Sequence, residues 1–158
     1  YPGGPYVDKY ALEGEDVYNL PRVMKHSNDY NFSFSGLKSA VINLVHNNLQ
    51  RGDETNFNDL CASFQNAVCD TLVYKTKKAA LEYQVKQVIV AGGVSANKGL
   101  RARLTEAFKD TGIELCVPPF KYCTDNAAMM ACAGYYHYQT FKEVRKLDIN
   151  GLADMELS

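Results

Sequence analysis

No apolar run in this chain approaches the roughly 20 residues that a membrane-spanning helix needs, so no bilayer crossing is expected. The opening Tyr1-Pro2-Gly3-Gly4-Pro5 has neither a basic n-region nor an apolar h-region, and it reads as a turn rather than a signal peptide. A start on Tyr instead of Met suggests a fragment or a processed chain. There is no C-x-x-C pair among the five cysteines, and their odd number argues against a disulfide framework. Three of them sit in apolar helical or strand patterns, where Cys acts as a small hydrophobe, so a reducing, cytoplasmic setting is expected. There is no H-x-x-x-H or H-E-x-x-H among His26, His46 and His137, and no Ser-His-Asp arrangement can be read. Neither charge sign is in excess: the net charge is −1, so any surface that neutralises nucleic-acid phosphates must be local or must lie on another segment or partner.

What is present is the balance of an ordinary globular domain, with 46% hydrophobic and 22% charged residues in 158. Along the chain, a turn leads into a short helix over Tyr6 to Leu12 that ends near Gly14. Residues 15 to 31 show no period and read as an irregular excursion. Phe32-Ser33-Phe34 has the alternation of a short strand, and Ser35 is placed to cap a helix over Gly36 to Leu49. A long helix is predicted from about Asn56 to Tyr83, with Phe57, Leu60, Cys61, Phe64, Val68, Leu72 and Val73 on one stripe. Lys75, Lys77 and Lys78 fall at its polar end as a solvated face. Gln87 to Ala91 has the profile of a buried strand and Ile113 to Val117 reads as a second strand, with a helix between them over Asn97 to Lys109, and a last helix opens around Asp125. This order makes a helix-rich α/β half-unit built on a parallel pair. Two strands make a poor sheet, which hints at further strands upstream.

Three segments carry chemistry. In Ala91-Gly92-Gly93-Val94-Ser95-Ala96-Asn97, glycines at a strand's carboxyl end let backbone N–H groups face a ligand, and the next helix adds partial positive charge. A phosphate cradle and a simple tight turn both satisfy that pattern, and Asn97 satisfies an N-cap. Lys98, Arg101 and Arg103 suit a solvated helix face. In Thr124-Asp125-Asn126-Ala127-Ala128, Asp125 is either a helix cap, worth about 0.5–2 kcal/mol, or a carboxylate at a cleft mouth that binds a metal or a hydroxyl. In Tyr1-Pro2-Gly3-Gly4-Pro5, a rigid turn precedes Asp8 by about one helical turn, so that Asp8 could point back over it.

Taken in order, YPGGPYVDKYA at 1–11, FSFSGLKSAV at 32–41, ASFQNAV at 62–68, VIVAGGVSANKGLR at 88–101 and TDNAAMMACAG at 124–134 resemble the tRNA N6-adenosine threonylcarbamoyltransferases, long described as O-sialoglycoprotein endopeptidases. The resemblance implies part of the second lobe of an actin-like, sugar-kinase-like two-lobe fold, one domain over 1–158 with the N-terminal lobe absent. It implies transfer of a threonylcarbamoyl group from threonylcarbamoyl-adenylate to N6 of the adenosine beside the tRNA anticodon. Gly4 and Asp8 would then contact substrate, at the adenylate ribose, and Asn97 with Gly92 and Gly93 would contact the adenylate. Asp125 would be one ligand of a single iron or zinc ion, whose remaining histidine ligands belong to a motif this chain lacks. The chain alone is therefore expected to be inactive. Expected partners are threonylcarbamoyl-adenylate, tRNA, and paralogous and ATPase proteins of a modification complex, with no membrane. The rival readings are an actin-like ATP-binding lobe, a metalloprotease, and a non-catalytic scaffolding paralogue.

Overall fold

The computed structural model describes residues 2–142 and resolves them into two compact units, one running to Cys123 and the other beginning at Thr124. In the first unit the elements follow the order α1 (Gly3–Ala11), α2 (Ser35–Arg51), α3 (Phe57–Glu82), β1 (Gln87–Ile89), α4 (Lys98–Phe108) and β2 (Glu114–Cys116). The second unit contains α5 (Ala127–Phe141). β1 and β2 pair in parallel, Val88 opposite Leu115, so the expected helix-rich α/β unit on a parallel pair is present. β1 is not the buried strand expected, however: only Val88 is half-buried, and Gln87 and Ile89 are exposed because only one face of the pair meets α3 and α4.

Helix α3 is the spine. Asn56 starts it, its side-chain oxygen accepting from the amides of Asn58 (2.9 Å) and Asp59 (3.2 Å) and satisfying donors that the first turn would leave unpaired. It buries residues on more than one face: Cys61, Ala67, Cys69, Thr71 and Ala80 are all enclosed. One side joins Cys69 and Ala80 to Leu100, Leu104 and Phe108 of α4, against the half-buried Val88 and Leu115 of the strands. The other joins Ala67 to Leu20 and Leu37, with Leu60, Phe64 and Val68 packed alongside. The single stripe read from the sequence is therefore only part of what α3 buries. A helix clad on two sides needs small residues where neighbours approach, which accounts for its alanines and cysteines.

The burial of those cysteines fixes their chemistry. Desolvation raises the Cys69 thiol to about 11 and also raises that of Cys61, so neither behaves as a reactive thiolate. All five cysteines are free.

Several boundaries differ from the sequence reading. α1 begins at Gly3 rather than Tyr6, because Pro5 falls in the first turn, where a missing N–H breaks no helical bond. Phe32-Ser33-Phe34 forms no strand; the two rings stack at 6.3 Å and Phe34 occupies the position before α2. Ser35 is the first residue of α2 instead of its cap, and its hydroxyl lies 3.2 Å from that of Ser33. Gly14 is where the irregular segment crosses the start of α3: a Cβ there would fall 2.1 Å from the carbonyl oxygen of Asn58, so no other residue fits.

Lys75 departs furthest from expectation. It is 2% exposed rather than solvated. Its ammonium donates to the Ser27 hydroxyl (2.7 Å), to Asp29 (3.2 Å) and to the carbonyl of Asn31, and it lies 5.8 Å from the centre of the Phe32 ring. A buried charge is tolerated only when its donors are met, and three acceptors meet them here. The irregular 27–32 segment is thereby pinned to α3. Asp29 is held down to about 2, first by the Ser27 hydroxyl and, against desolvation, by Asn31 and Lys75.

Lys75→Ala should lower the stability of the chain by about 2 kcal/mol, since hydrogen bonds from a charged donor are lost. Lys77→Ala, on the same helix, should stay within about 0.5 kcal/mol. Urea denaturation of both variants checks the contrast, and equal effects would contradict the pinning role. Because Asp29 titrates lower in the folded chain, its contribution is complete above about pH 4 and is lost as pH falls towards about 2, so the effect of Asp29→Asn should fade over that window.

Candidate functional site

The site in the first unit forms where β1 ends. Gly92 adopts φ 84° and ψ 169°, a conformation open essentially only to glycine, and turns the chain out of the strand. A single 3-10 turn, Gly93–Ala96, follows. Gly93 carries no such backbone demand, and a Cβ built on it meets nothing within 4 Å. The first glycine is thus the tight turn, and the second faces open space.

Asn97 ends the turn and caps α4, its side-chain oxygen accepting from the Leu100 amide at 2.7 Å. Its side-chain nitrogen donates to Gln65 of α3 at 2.6 Å. Gln65 occupies the space that Gly99 leaves free, since a Cβ on Gly99 would lie 2.7 Å from the Gln65 amide nitrogen. The carboxamide of Asn97 is therefore held at both ends, with one N–H left over.

Asp8 reaches the same place from α1. One carboxylate oxygen lies 3.5 Å from the Lys98 amide, a long contact that sets negative charge against the N-terminus of α4. The other oxygen is shielded and has no partner among the described residues. The Ser95 hydroxyl, inside the loop, is likewise enclosed and unpaired. Unpaired buried polar atoms cost about 1–3 kcal/mol each and concentrate where a ligand or water completes them. The structure thus brings Asp8 to the start of α4 beside Asn97. Gly4 lies one turn before Asp8 on α1, exposed, with open space where a Cβ would stand.

Arg101 and Arg103 are not the free helix face expected of them. Arg101 donates to the carbonyls of Ser95 and Pro118 (2.8 Å) and lies 3.0 Å from the Cys123 sulfur, with its guanidinium 4.1 Å from the centre of the Phe120 ring. It ties the glycine loop to the segment after β2. Arg103 bonds Asp70 and Asn66, and Asp70 in turn pairs with Arg22, so this cation is spent on packing α4 and the irregular segment to α3. Gln65 and the bracing role of Arg101 were not read from the sequence. Both act across long separations, and the only local signals were the polar Gln65 beside the apolar stripe and an arginine beside a glycine loop.

In the second unit, Asn126 caps α5, its side-chain oxygen accepting from the Met129 amide at 2.8 Å. Asp125 precedes the cap and is exposed, so the capping explanation for it falls: its neighbour does that work. Among the described residues no three His, Cys, Asp or Glu side chains come together as a metal site. Asp125 suits one place in a coordination sphere and no more; further ligands would have to come from outside the described residues.

A strand, a glycine turn and an asparagine-capped helix, with the Asp8 carboxylate at the helix start, define this part of the α/β unit. The family profile for tRNA N6-adenosine threonylcarbamoyltransferase matches residues 1–132. The chain is 54% identical over 160 residues to the tRNA N6-adenosine threonylcarbamoyltransferase of Bacillus subtilis (strain 168), covering 100% of this chain and 46% of that protein. It is 52% identical over 159 residues to the protein of that name from Halalkalibacterium halodurans, covering 99% of this chain and again 46% of the relative. For the Geobacillus kaustophilus protein of that name the identity is 54% over 143 residues, 90% of this chain and 42% of the relative. The chain belongs to the tRNA N6-adenosine threonylcarbamoyltransferase family. It spans less than half the length of these relatives. Among the described residues no helix is long and apolar enough to cross a membrane.

The geometry separates the two loop glycines. Gly92→Ala should cost about 1–3 kcal/mol through its backbone conformation, whereas Gly93→Ala should be close to neutral. Thermal melts of the two variants measure this, and equal losses would contradict the distinct roles assigned to them.

Proposed function

We propose that this chain forms part of the second lobe of an actin-like two-lobe transferase and contributes the adenylate-binding side of its threonylcarbamoyl-adenylate site. Family membership supports the chemistry. The single observation that carries the site is the meeting of Asp8 with the Asn97-capped start of α4, beside the open glycine loop.

The α4 terminus is already occupied: Asn97 takes the Leu100 amide and Asp8 faces the Lys98 amide. A second anion there would meet the Asp8 carboxylate, so a phosphate is better served by the amides around Gly93. Asp8, an acceptor when ionised, suits ribose hydroxyls, as acidic residues near nucleotide loops generally do. Gly4, one turn earlier and without a side chain, leaves room for a sugar to approach α1. The remaining N–H of Asn97 is positioned to donate to the same nucleotide.

In the reaction, the N6 amine of the tRNA adenosine attacks the carbamoyl carbon of threonylcarbamoyl-adenylate. A C–N bond forms, the anhydride C–O bond breaks, the adenylate leaves with the electron pair, and the amine loses its proton. Holding the leaving group through backbone amides stabilises the charge that develops on it without a covalent nucleophile. An iron or zinc ion, when bound, would supply a Lewis acid for the threonylcarbamoyl oxygens, with Asp125 as the single ligand from this chain. The tRNA acceptor and the proteins of a modification complex are the partners this reading implies.

The test uses a full-length protein bearing this chain, with threonylcarbamoyl-adenylate and unmodified tRNA. Gly93→Val should weaken donor binding at least tenfold, about 1.4 kcal/mol, at an unchanged melting temperature. Asp125→Asn should lose metal and transferase rate together, also with stability unchanged, because Asn126 keeps the cap. Normal donor affinity in Gly93→Val would remove the adenylate from the loop, and a metal-replete, active Asp125→Asn would remove the metal from this unit.

A further inference from the structure

A groove of about 580 Å³ runs between α3 and α4 in the first unit, with no residue of the glycine loop in its lining. From α3 it is lined by Tyr74, Lys77, Lys78 and Leu81, which fall at i, i+3, i+4 and i+7 and so share one helical face. From α4 it is lined by Arg103, Glu106 and Ala107, and Lys25 of the irregular segment closes one side. The Arg103 charge is cancelled by Asp70. Lys25, Lys77 and Lys78 form no salt bridge among the described residues, and Glu106 is the one lining carboxylate left to oppose them. The groove therefore concentrates positive charge in a chain whose net charge is −1.

An aromatic platform lies within this charge. Tyr74 is 41% exposed; the Lys25 ammonium sits 5.6 Å from the centre of its ring, and the His26 ring meets it edge-on at 4.9 Å. A second cation–ring pair, Lys78 and Tyr30 at 5.7 Å, adjoins it. Lysines interleaved with an exposed ring suit a nucleic-acid strand, with ammonium groups on successive phosphates and a ribose or base against the ring. An acidic peptide would use the charge but would leave the ring without a planar partner.

We propose that this groove is a docking surface for the phosphate backbone of the RNA acceptor, remote from the reacting adenosine. The proposal rests on the reading that the acceptor is a tRNA. Backbone contacts of this kind position a long substrate without reading its sequence. The structure also makes the surface rigid: Lys75 and the Arg22–Asp70–Arg103 bridge fasten the irregular segment and α4 to α3 on either side of it.

The experiment compares a full-length protein bearing this chain with its Lys25→Gln/Lys77→Gln/Lys78→Gln variant, measuring tRNA Kd by fluorescence anisotropy from about 50 to about 200 mM salt. The variant should bind tRNA at least tenfold more weakly at the low-salt end, and the slope of log Kd against log salt should shrink by about 2 to 3, near one per lost cation. The KM for threonylcarbamoyl-adenylate should not move. Replacing the three lysines by arginine should retain binding and slope. Unchanged Kd and slope in the glutamine variant overturn the proposal, as does loss of a bound protein partner with tRNA binding intact. Should the glutamine variant fail to fold, Lys77→Glu alone, on a half-buried side chain with no ion pair to lose, should still weaken binding; unaltered binding there overturns the proposal equally. A wild-type protein that neither binds tRNA nor transfers the group would refute the functional reading instead, whatever the lysines do.

Discussion

The structure depends on one helix being packed on two sides at once. α3 lends Cys69 and Ala80 to the cluster it forms with α4 and the strands, and Ala67 to the cluster it forms with Leu20 and Leu37. An element in that position cannot shift to suit one neighbour without disturbing the other, because cores are close-packed and respond to displacements of a methylene or less. Polar contacts lock the same helix: Gln65 holds Asn97, Asp70 receives Arg22 and Arg103, and Lys75 gathers Ser27, Asp29 and Asn31. The glycine loop is thus positioned by residues more than 30 positions away in sequence, and its geometry is a consequence of how α3 is held.

That dependence explains the electrostatic layout. Arginines that would otherwise sit free beside the loop are spent on carbonyls and on Asp70, which leaves the loop's own amides, the Ser95 hydroxyl, one N–H of Asn97 and the Asp8 carboxylate as its uncommitted polar groups. Lys25, Lys77 and Lys78, which form no salt bridge among the described residues, line the groove between α3 and α4 instead.

Much of this was legible in the sequence wherever the determinant is local. The long helix, the parallel pair, the glycine turn and the Asn97 cap follow from periodicity, β-branched runs and capping chemistry within a few residues of each other. The misreadings share a physical cause. Lys75 looks solvated on a helical wheel and is buried because a segment nearly 50 residues earlier supplies its acceptors. Ser35 and Asp125 look like caps, yet Ser35 lies inside its helix and Asn126 takes the cap at α5, which shows that the identity of a polar residue near a helix start does not fix the register of the first turn. The family resemblance was specific because five weak segments recur in order, and membership in that family is what the comparisons show. The roles of Gly4, Asp8, Asn97 and Asp125 were implied by that resemblance and are proposals to which the local geometry adds support.

The central claim is that the loop from Gly92 to Lys98, with Asp8 above it, receives the adenylate. Amide hydrogen exchange on a full-length protein bearing this chain, with and without a non-reacting threonylcarbamoyl-adenylate analogue, addresses that claim most directly. The account predicts slowed exchange at the amides of residues 93–98 and in α1 around Asp8, with the buried middle of α3 unchanged. Protection elsewhere in the protein, with residues 93–98 exchanging as in the free form, would contradict it.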